Sequence, residues 1–285
     1  MASRYSIMTK PLLYDSHMHT PLCKHARGEP EEYAAVAEQR GLKGVIITCH
    51  NPGPKGWSPQ IRMALDEFGN YLAMVERARQ EWAGRVDVRL GLESDFMPDM
   101  EPWLEKLHAQ ADFNFILGSV HPHNRYYKER YFNGDALAYQ WQYFEHLAVA
   151  AESGLFDCLA HPDLVKDVFP EQWDLSRLLD RVRQSLDRIA RTGVAMELNT
   201  SGLHKRIKEF LPGAAILAEM QLRDIPVVLG SDAHQPDRVA ADFDQALELL
   251  AEVGYDNISY FLNRQRQDVT LPAAQQSLAT MSAGR

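Results

Sequence analysis

The chain has few cysteines, no long apolar run and no excess of positive charge. Its three cysteines, Cys23, Cys49 and Cys158, form no CxxC pair, which argues against a disulfide framework. No stretch of about twenty apolar residues exists to span a membrane. The N-terminal segment MASRYSIMTKPLLYD lacks the apolar core of a secretory signal. We therefore expect a cytoplasmic protein that makes no contact with a membrane.

Negative charge predominates, with 30 Lys and Arg against 39 Asp and Glu and a formal net charge of −9. Such a chain repels a phosphate backbone at long range, so we do not expect broad nucleic-acid binding. A local cationic site remains compatible with this balance, because bound metal ions supply positive charge that the residue count does not include. A small phosphorylated molecule is therefore still an acceptable substrate.

Short apolar runs alternate with longer segments of helical periodicity. Seven runs are predicted to be strands: PLLYDSH, KGVIITCH, VDVRLGLE, FNFILGSVH, FDCLAH, VAMELN and PVVLGSD. Segments such as PEEYAAVAEQR and LSRLLDRVRQSLDRIARTG lie between them, and the alternation predicts parallel strands with crossover helices. No glycine-rich dinucleotide fingerprint follows the first run, which favours a barrel over an open doubly wound sheet.

Side chains that can bind metals stand where these apolar runs end. Six runs close on such residues, which are His17 and His19, His50, Glu93, His121, His161, and Asp232 with His234. The C-terminal ends of the strands in a parallel barrel share one face, where barrel enzymes keep their active sites. Residues two apart on an extended chain project to the same side, so each of the two pairs can converge on one point.

One histidine after a strand is usually an ordinary hydrogen-bonded residue, but six such strand ends predict a metal site. His108 and His146 fall within helical segments and are interpreted as ordinary helix residues. Imidazole with carboxylate suits zinc, iron or manganese, and without thiolates a structural zinc site of the cysteine type is excluded. The ligands exceed the need of one ion, so two or three divalent ions are expected.

The motifs DSHMHT, CKHA, TCH, GLESD, GSVH, AHPD and GSDAH, in this order, resemble those of the PHP (polymerase and histidinol phosphatase) superfamily. HTPLCKHARGEPEEYAAVAEQRGLKG and ELNTSGLHK are most similar to its histidinol-phosphate phosphatases. The resemblance implies a distorted (β/α)7 TIM-like barrel. It also implies a single metallohydrolase domain over residues 1–285, with a barrel core at about 11–255 and a tail at about 263–285.

The resemblance further implies three metal ions. Their ligand sets would be His17, His19, Glu93 and Asp232 for the first ion, Glu93, His121 and His161 for the second, and His25, His50 and His234 for the third. Only the resemblance identifies His25. Asp15 is interpreted as orienting a ligand histidine through its other ring nitrogen, and the alternative is a hydrogen-bond acceptor at the strand end.

The implied activity is hydrolysis of L-histidinol phosphate to L-histidinol and phosphate, a step of histidine biosynthesis, by a metal-bridging hydroxide. Glu93, Asp232 and His234 are the candidate catalytic residues, and Asp232 or His234 would move a proton. Asp232 as a ligand alone is the simpler alternative. Two other functions are weighed: a PHP phosphoesterase for another small ester such as a nucleotide, and a degenerate scaffold domain. A missing ligand would favour the scaffold, and none is missing.

Candidate substrate contacts lie in the loops after the fifth and sixth strands. They are Lys166, Asn199, Ser201, His204, Lys205 and Arg206. His204 stands where the resemblance leads us to expect a basic residue. Asp95 is a candidate for binding the substrate's ammonium group, and each of these residues also fits a solvated loop position. The segment NPGPKGWSPQIRM after His50 would form a wall or lid of the pocket, or else a rigid surface loop.

Overall fold

Seven parallel strands form a barrel and are arranged around it in the order in which they occur along the chain. A computed structural model describes residues 10–54 and 57–282, with side chains up to residue 278. The seven strands are β1 (Tyr14–Asp15), β2 (Gly44–Ile47), β3 (Asp87–Asp95), β4 (Phe115–Ser119), β5 (Cys158–Leu159), β6 (Ala195–Asn199) and β7 (Val227–Gly230). Six of the seven apolar runs predicted from the sequence contain their strands, and β3 extends two residues beyond its run, to Asp95.

Helices connect the strands. They are α1 (Pro30–Gln39), α2 (Phe68–Glu81), α3 (Glu101–His108), α4 (Arg125–Tyr131), α5 (Ala136–Glu152), α6 (Leu175–Thr192), α7 (Ala214–Gln221) and α8 (Phe243–Val253). Local signals mark their ends. The carboxylate of Glu32 accepts the backbone N–H of Glu29 at 2.7 Å at the start of α1. Gly193, with φ 74°, ends α6 in the left-handed conformation that glycine adopts readily. No described helix is long and apolar enough to cross a membrane.

The barrel closes between β1 and β7. The backbone N–H of Ser16 donates to the carbonyl of Leu229 at 3.3 Å, and that of His19 donates to the carbonyl of Ala233 at 2.9 Å. Met18 and Ala233 face each other in parallel register. Strands β1 and β5 contribute two residues each, so the barrel is irregular. The predicted distorted (β/α)7 barrel is confirmed.

The barrel interior is apolar at one end and polar at the other. Tyr14, Phe115 and Ala195 belong to a small buried cluster inside the barrel. Alternate residues of a strand share a face, so Glu197 lies above Ala195 toward the C-terminal end of β6. Glu93 occupies the corresponding face of β3, and both glutamates are 1% exposed. The polar end is therefore the face where the strands finish.

The C-terminal tail is regular rather than loose. It forms β8 (Asn257–Leu262), β9 (Gln265–Thr270) and α9 (Leu271–Ser282). Strands β8 and β9 form an antiparallel hairpin, and the ring of Phe261 stacks on Phe115 with centroids 5.5 Å apart. Helix α9 packs beside α8, with Leu271 and Ala274 buried. Residues 263–282 of the tail are therefore ordered and pack against the barrel.

Candidate metal centre

The nine side chains implied as ligands lie together at the C-terminal end of the barrel. Eight of them belong to strands or to the residues that directly follow strands: His17 and His19 after β1, His50 after β2, Glu93 in β3, His121 after β4, His161 after β5, and Asp232 with His234 after β7. The ninth, His25, reaches the same place from the loop after β1. Its Nε2 lies 3.0 Å from Nε2 of His234.

Glu93 occupies the centre of this cluster. Its Oε1 lies 3.1 Å from Nε2 of His161 and 3.3 Å from Nε2 of His121. Its Oε2 lies 2.5 Å from Nδ1 of His50 and 3.5 Å from Nε2 of His17. The two oxygens therefore face two different groups of histidines, as a carboxylate shared by two cations requires.

Asp232 lies beside two further histidines of the cluster, His19 and His17. Its Oδ1 lies 3.0 Å from Nε2 of His19 and 3.6 Å from Nε2 of His17. The ligand atoms of His19, His50 and His234 also lie within 4.8 Å of one another. Asp232 has φ 50° and His161 has φ 29°, a strained conformation for residues other than glycine that is concentrated at functional sites.

Several buried atoms of the cluster have no hydrogen-bond partner among the described residues. They include Nε2 of His17, and also Nδ1 of His50 and Oε2 of Glu93, which lie 2.5 Å apart without the geometry of a hydrogen bond. A buried polar atom without a partner costs about 1–3 kcal/mol, and here such atoms concentrate in one place. Divalent cations of the kind that imidazole and carboxylate bind would satisfy them, so the donor set fits metal ions.

Electrostatics favour the metal-binding form of Glu93, His50 and His234, whereas carboxylates outweigh burial and raise the pKa of His17 well above its ordinary value and that of His121 to about 9. Burial raises the pKa of the Glu93 carboxyl, but His50 and His121 outweigh it and hold that pKa well below its usual range. Burial lowers the pKa of His50 well below its ordinary value and lowers that of His234 to about 4. Ionised carboxylate and neutral imidazole are the states that ligate a cation.

Glu197, which the sequence reasoning missed, orients His17. Its Oε1 accepts Nδ1–H of His17 at 2.7 Å, which turns Nε2 of that ring toward Glu93 and Asp232. Its Oε2 accepts the backbone N–H of His161 at 2.8 Å. The signal was present in VAMELN, where one carboxylate interrupts an otherwise apolar strand.

The role predicted for Asp15 is wrong, and the alternative is correct. Asp15 accepts the backbone N–H groups of Ser231 at 3.0 Å and Ala240 at 2.7 Å, and it also accepts the hydroxyl of Ser231. It contacts no described histidine ring through a hydrogen bond. Asp15 therefore fastens β1 to the segment after β7, which places His17 and Asp232 side by side.

Replacing Glu197 by Gln is expected to lower metal affinity about ten- to a hundredfold, because the His17 ring loses the charged acceptor that fixes its tautomer and orientation. The measurement is metal retained per chain during titration with a chelator. Glu248→Gln, on the exposed face of α8, is the control. Equal retention by Glu197→Gln and the unsubstituted protein would contradict the orienting role.

A pocket of about 680 Å³ opens over the cluster. Of the predicted substrate contacts, His204, Lys205 and Arg206 line it. Nζ of Lys205 lies 4.0 Å from Oδ2 of Asp232, and no shorter ion pair of Lys205 is present in the described part of the chain. His204 and Arg206 instead contact Asp242 and Glu171, at 2.8 Å and 3.0 Å. Lys205 is therefore the cation best placed for an incoming anion.

Lys166 and Asn199 make structural contacts and do not line the pocket, and their role as substrate contacts stays a prediction. Lys166 is 1% exposed, and its ammonium donates to Asp163, Glu209 and the carbonyl of Phe210, each at 2.8 Å. Its three donors are thus used.

Asn199 is fully buried, and its Oδ1 accepts the backbone N–H of Ser201 at 2.9 Å, which caps the 3₁₀ helix Thr200–His204. The hydroxyl of Ser201 lies 3.0 Å from Oδ2 of Asp232. Ser201 therefore contacts a proposed ligand of the cluster.

The Asp95 carboxylate is not available to bind an ammonium group, and that prediction is wrong. Its carboxylate is 2% exposed and accepts Nε–H and Nη2–H of Arg62 at 2.6 Å and 2.9 Å. It also accepts Nε1–H of Trp57 at 3.0 Å and lies 2.5 Å from Nδ1 of His121. Asp95 thus orients His121 as Glu197 orients His17.

The loop after His50 forms a wall of the pocket. Ile61 and Arg62 line the pocket, and the ring of Trp57 stacks on Tyr126 with centroids 5.4 Å apart. This supports the wall over the rigid surface loop for residues 57–63; residues 55–56 lie outside the described parts. Arg62 was missed because nothing local distinguishes an arginine in a loop from a solvated one.

Two thiols lie beside the cluster, which the strand-end pattern did not predict. The sulfurs of Cys23 and Cys49 lie within 4.8 Å of a ring nitrogen of His19 and of each other, and both residues are buried. The hydroxyl of Thr20 lies 3.2 Å from Sγ of Cys49. Cys49 directly precedes His50 after β2, so the sequence-based assumption that no thiol accompanies the strand-end ligands is wrong.

Comparison with known proteins gives consistent matches. The family model described as PHP domain matches residues 15–201. A protein of Deinococcus radiodurans named "Probable histidinol-phosphatase" is 38% identical over 254 residues, which cover 87% of this chain and 96% of that protein. The "Histidinol-phosphatase" of Bacillus subtilis is 27% identical over 268 residues, covering 82% and 98%.

A solved structure has the same fold. The histidinol phosphate phosphatase of Lactococcus lactis, complexed with zinc, L-histidinol and phosphate, superposes with a TM-score of 0.74 at 17% identity. The match covers 89% of this chain and 98% of that one. At this level of identity the likeness concerns the fold.

Proposed function

Because the chain belongs to the PHP domain family, we propose that it is a metal-dependent phosphomonoesterase that hydrolyses L-histidinol phosphate to L-histidinol and phosphate. The observation that carries the chemistry is the convergence of eight imidazole and carboxylate side chains on Glu93 beneath a pocket. Two relatives support the choice of substrate, because they match more than four fifths of this chain and are named as histidinol-phosphatases.

The proposed metal complement is three divalent ions. Their ligand sets are His17, His19, Glu93 and Asp232; Glu93, His121 and His161; and His25, His50 and His234. Zinc, iron and manganese all suit these donors. Bound ions would lower the pKa of an attacking water and offset the charge that develops on the phosphoryl oxygens.

The chain's own residues hold and orient the reacting groups. Each oxygen of Glu93 faces one group of histidines and would complete the metal site there. Glu197 and Asp95 fix the orientation of the rings of His17 and His121. Lys205 receives a phosphoryl oxygen at the pocket wall, because its ammonium lies there beside Asp232. Asp232 and His234 border the pocket, where either can accept a proton from the attacking water or return one to the leaving alcohol.

Release of phosphate from L-histidinol phosphate by metal-loaded protein tests this function. The activity should disappear when a chelator removes the metal and return when a divalent metal is restored. Hydrolysis that persists in fully demetallated protein would contradict the proposal.

Replacing Lys205 by Gln is expected to lower kcat/KM for the phosphate ester about ten- to a hundredfold. A hydrogen bond to a charged group contributes about 1.5–3 kcal/mol, and the variant loses that contact with the phosphoryl group. The measurement is steady-state phosphate release. Lys208→Gln, an exposed lysine of the same loop that does not line the pocket, is the matched control. An unchanged kcat/KM in Lys205→Gln would remove Lys205 from the phosphate site.

A further inference from the structure

The metal centre accounts for the phosphate end of a substrate but leaves the organic end without a partner. Asp95, the sequence-based candidate for that end, is fully engaged by Arg62, Trp57 and His121. Apart from the cluster residue Asp232, the described residues that line the pocket include one carboxylate, Asp167. Asp167 is therefore the feature of the pocket wall that remains to be explained.

Asp167 lies at the end of the 3₁₀ helix Leu164–Asp167, which follows His161 after β5. Its Oδ2 is 3.4 Å from Nε2 of His123, its one ion-pair neighbour among the described residues. Its Oδ1 is shielded from solvent, and no described group donates a hydrogen bond to it. Asp167 nevertheless lines the substrate pocket, and its side chain keeps 16% exposure, so a donor on a bound substrate can meet the carboxylate from that side.

The other carboxylates around this end of the barrel show what Asp167 lacks. Asp95 pairs with Arg62, Asp163 pairs with Lys166, and Glu209 also contacts Lys166. Each therefore meets a cation of the chain itself. Asp167 pairs with no lysine or arginine in the described part of the chain, although its side chain is only 16% exposed and so largely removed from water.

We propose that Asp167 binds the nitrogen cation of the substrate, an inference that rests on the proposed function. An ammonium group on the carbon next to the ester carbon would donate a charge-assisted hydrogen bond to the Asp167 carboxylate. The phosphate would lie at the metal centre beside Lys205, and the carbon skeleton would lie along Ile61 and Leu164, which line the same pocket. The pocket thus offers a positive end, an apolar wall and one negative group, in agreement with a zwitterionic amino-alcohol phosphate.

The same carboxylate chemistry would accept a protonated imidazole ring, and substrate analogues separate the two sources. Ethanolamine phosphate has the amine and no ring, and imidazolylpropyl phosphate has the ring and no amine. An aryl phosphate has neither. The variant Asp167→Asn keeps the size of the side chain and its contact with His123 but removes the charge.

Asp167→Asn is expected to lower kcat/KM for L-histidinol phosphate about ten- to a hundredfold, mainly through KM, and to leave the aryl phosphate within about twofold. If the amine is the bound group, ethanolamine phosphate shows the loss and imidazolylpropyl phosphate does not. The reverse pattern assigns the ring. Asp244→Asn, on the exposed face of α8, controls for the substitution itself.

An equal loss on all four esters would assign Asp167 a merely structural role and overturn the inference, as would an unchanged kcat/KM for L-histidinol phosphate. The failure of the proposed function is a separate result. It would appear in the unsubstituted protein as the absence of any preference for L-histidinol phosphate over the aryl phosphate. A loss confined to amine- or imidazole-bearing esters in Asp167→Asn would still support cation binding at this position.

Discussion

The variant Glu93→Gln is expected to lose nearly all phosphatase activity, with kcat/KM falling about a thousandfold or more. Glutamine keeps the length of the side chain but offers one neutral oxygen, so it cannot supply a charged oxygen to both groups of histidines. Its amide nitrogen would also direct N–H toward ring nitrogens such as those of His50 or His161, which lie 2.5 Å and 3.1 Å from the carboxylate. At least one metal ion per chain should be lost.

The measurement combines kcat/KM with metal content per chain, determined by elemental analysis of the purified variant. Glu248→Gln is again the control, because it makes the same chemical change on the exposed face of α8. Glu93→Gln protein that retains its full metal content and hydrolyses the substrate at the native rate would contradict the central role of Glu93.

Arg62→Met should have the largest effect on stability, a loss of about 3–5 kcal/mol in the free energy of unfolding. Arg62 is 2% exposed and makes two hydrogen bonds to Asp95, so its removal leaves a buried carboxylate without its counter-charge. The second substitution Asp95→Asn in the same chain should restore part of the loss, because the stranded charge is then absent. Denaturant unfolding of the metal-loaded proteins measures both effects.

Arg125→Met is the control for this stability prediction. Arg125 pairs with Glu129 on the surface of α4, and its side chain is 84% exposed. Exposed pairs contribute about 0–1 kcal/mol, so this variant should unfold almost as the unsubstituted protein does. A loss below about 1 kcal/mol in Arg62→Met would show that the Arg62–Asp95 pair is far less important than its burial indicates.

The sequence was sufficient to predict the barrel and the convergence of metal-binding side chains at the ends of its strands. Strand positions could be predicted because strands buried on both faces are apolar throughout, and parallel strands must finish on one face. This geometry alone brings His50 and His161, which are far apart in the chain, to the same carboxylate. His25 could not be found in this way, because it reaches the site from a loop, and only its motif context indicated it.

Several of the roles that the sequence did not predict depend on a partner far away in the chain. Nothing in the sequence shows that the ammonium of Lys166 donates to Glu209 and to the carbonyl of Phe210, each at 2.8 Å. Asp95 looked free because Arg62, 33 residues earlier, gives no local sign of burial. Glu197 supports a histidine 180 residues away. Ion pairs and orienting hydrogen bonds depend on tertiary packing, which periodicity and motif spacing do not encode.

The most direct test of the account is phosphate release by metal-loaded protein from three esters: L-histidinol phosphate, a mononucleotide and an aryl phosphate. The account predicts that kcat/KM for L-histidinol phosphate exceeds the other two values by several orders of magnitude. Comparable low values for all three would contradict the assignment of L-histidinol phosphate as the substrate and leave a metal-dependent hydrolase of another small ester.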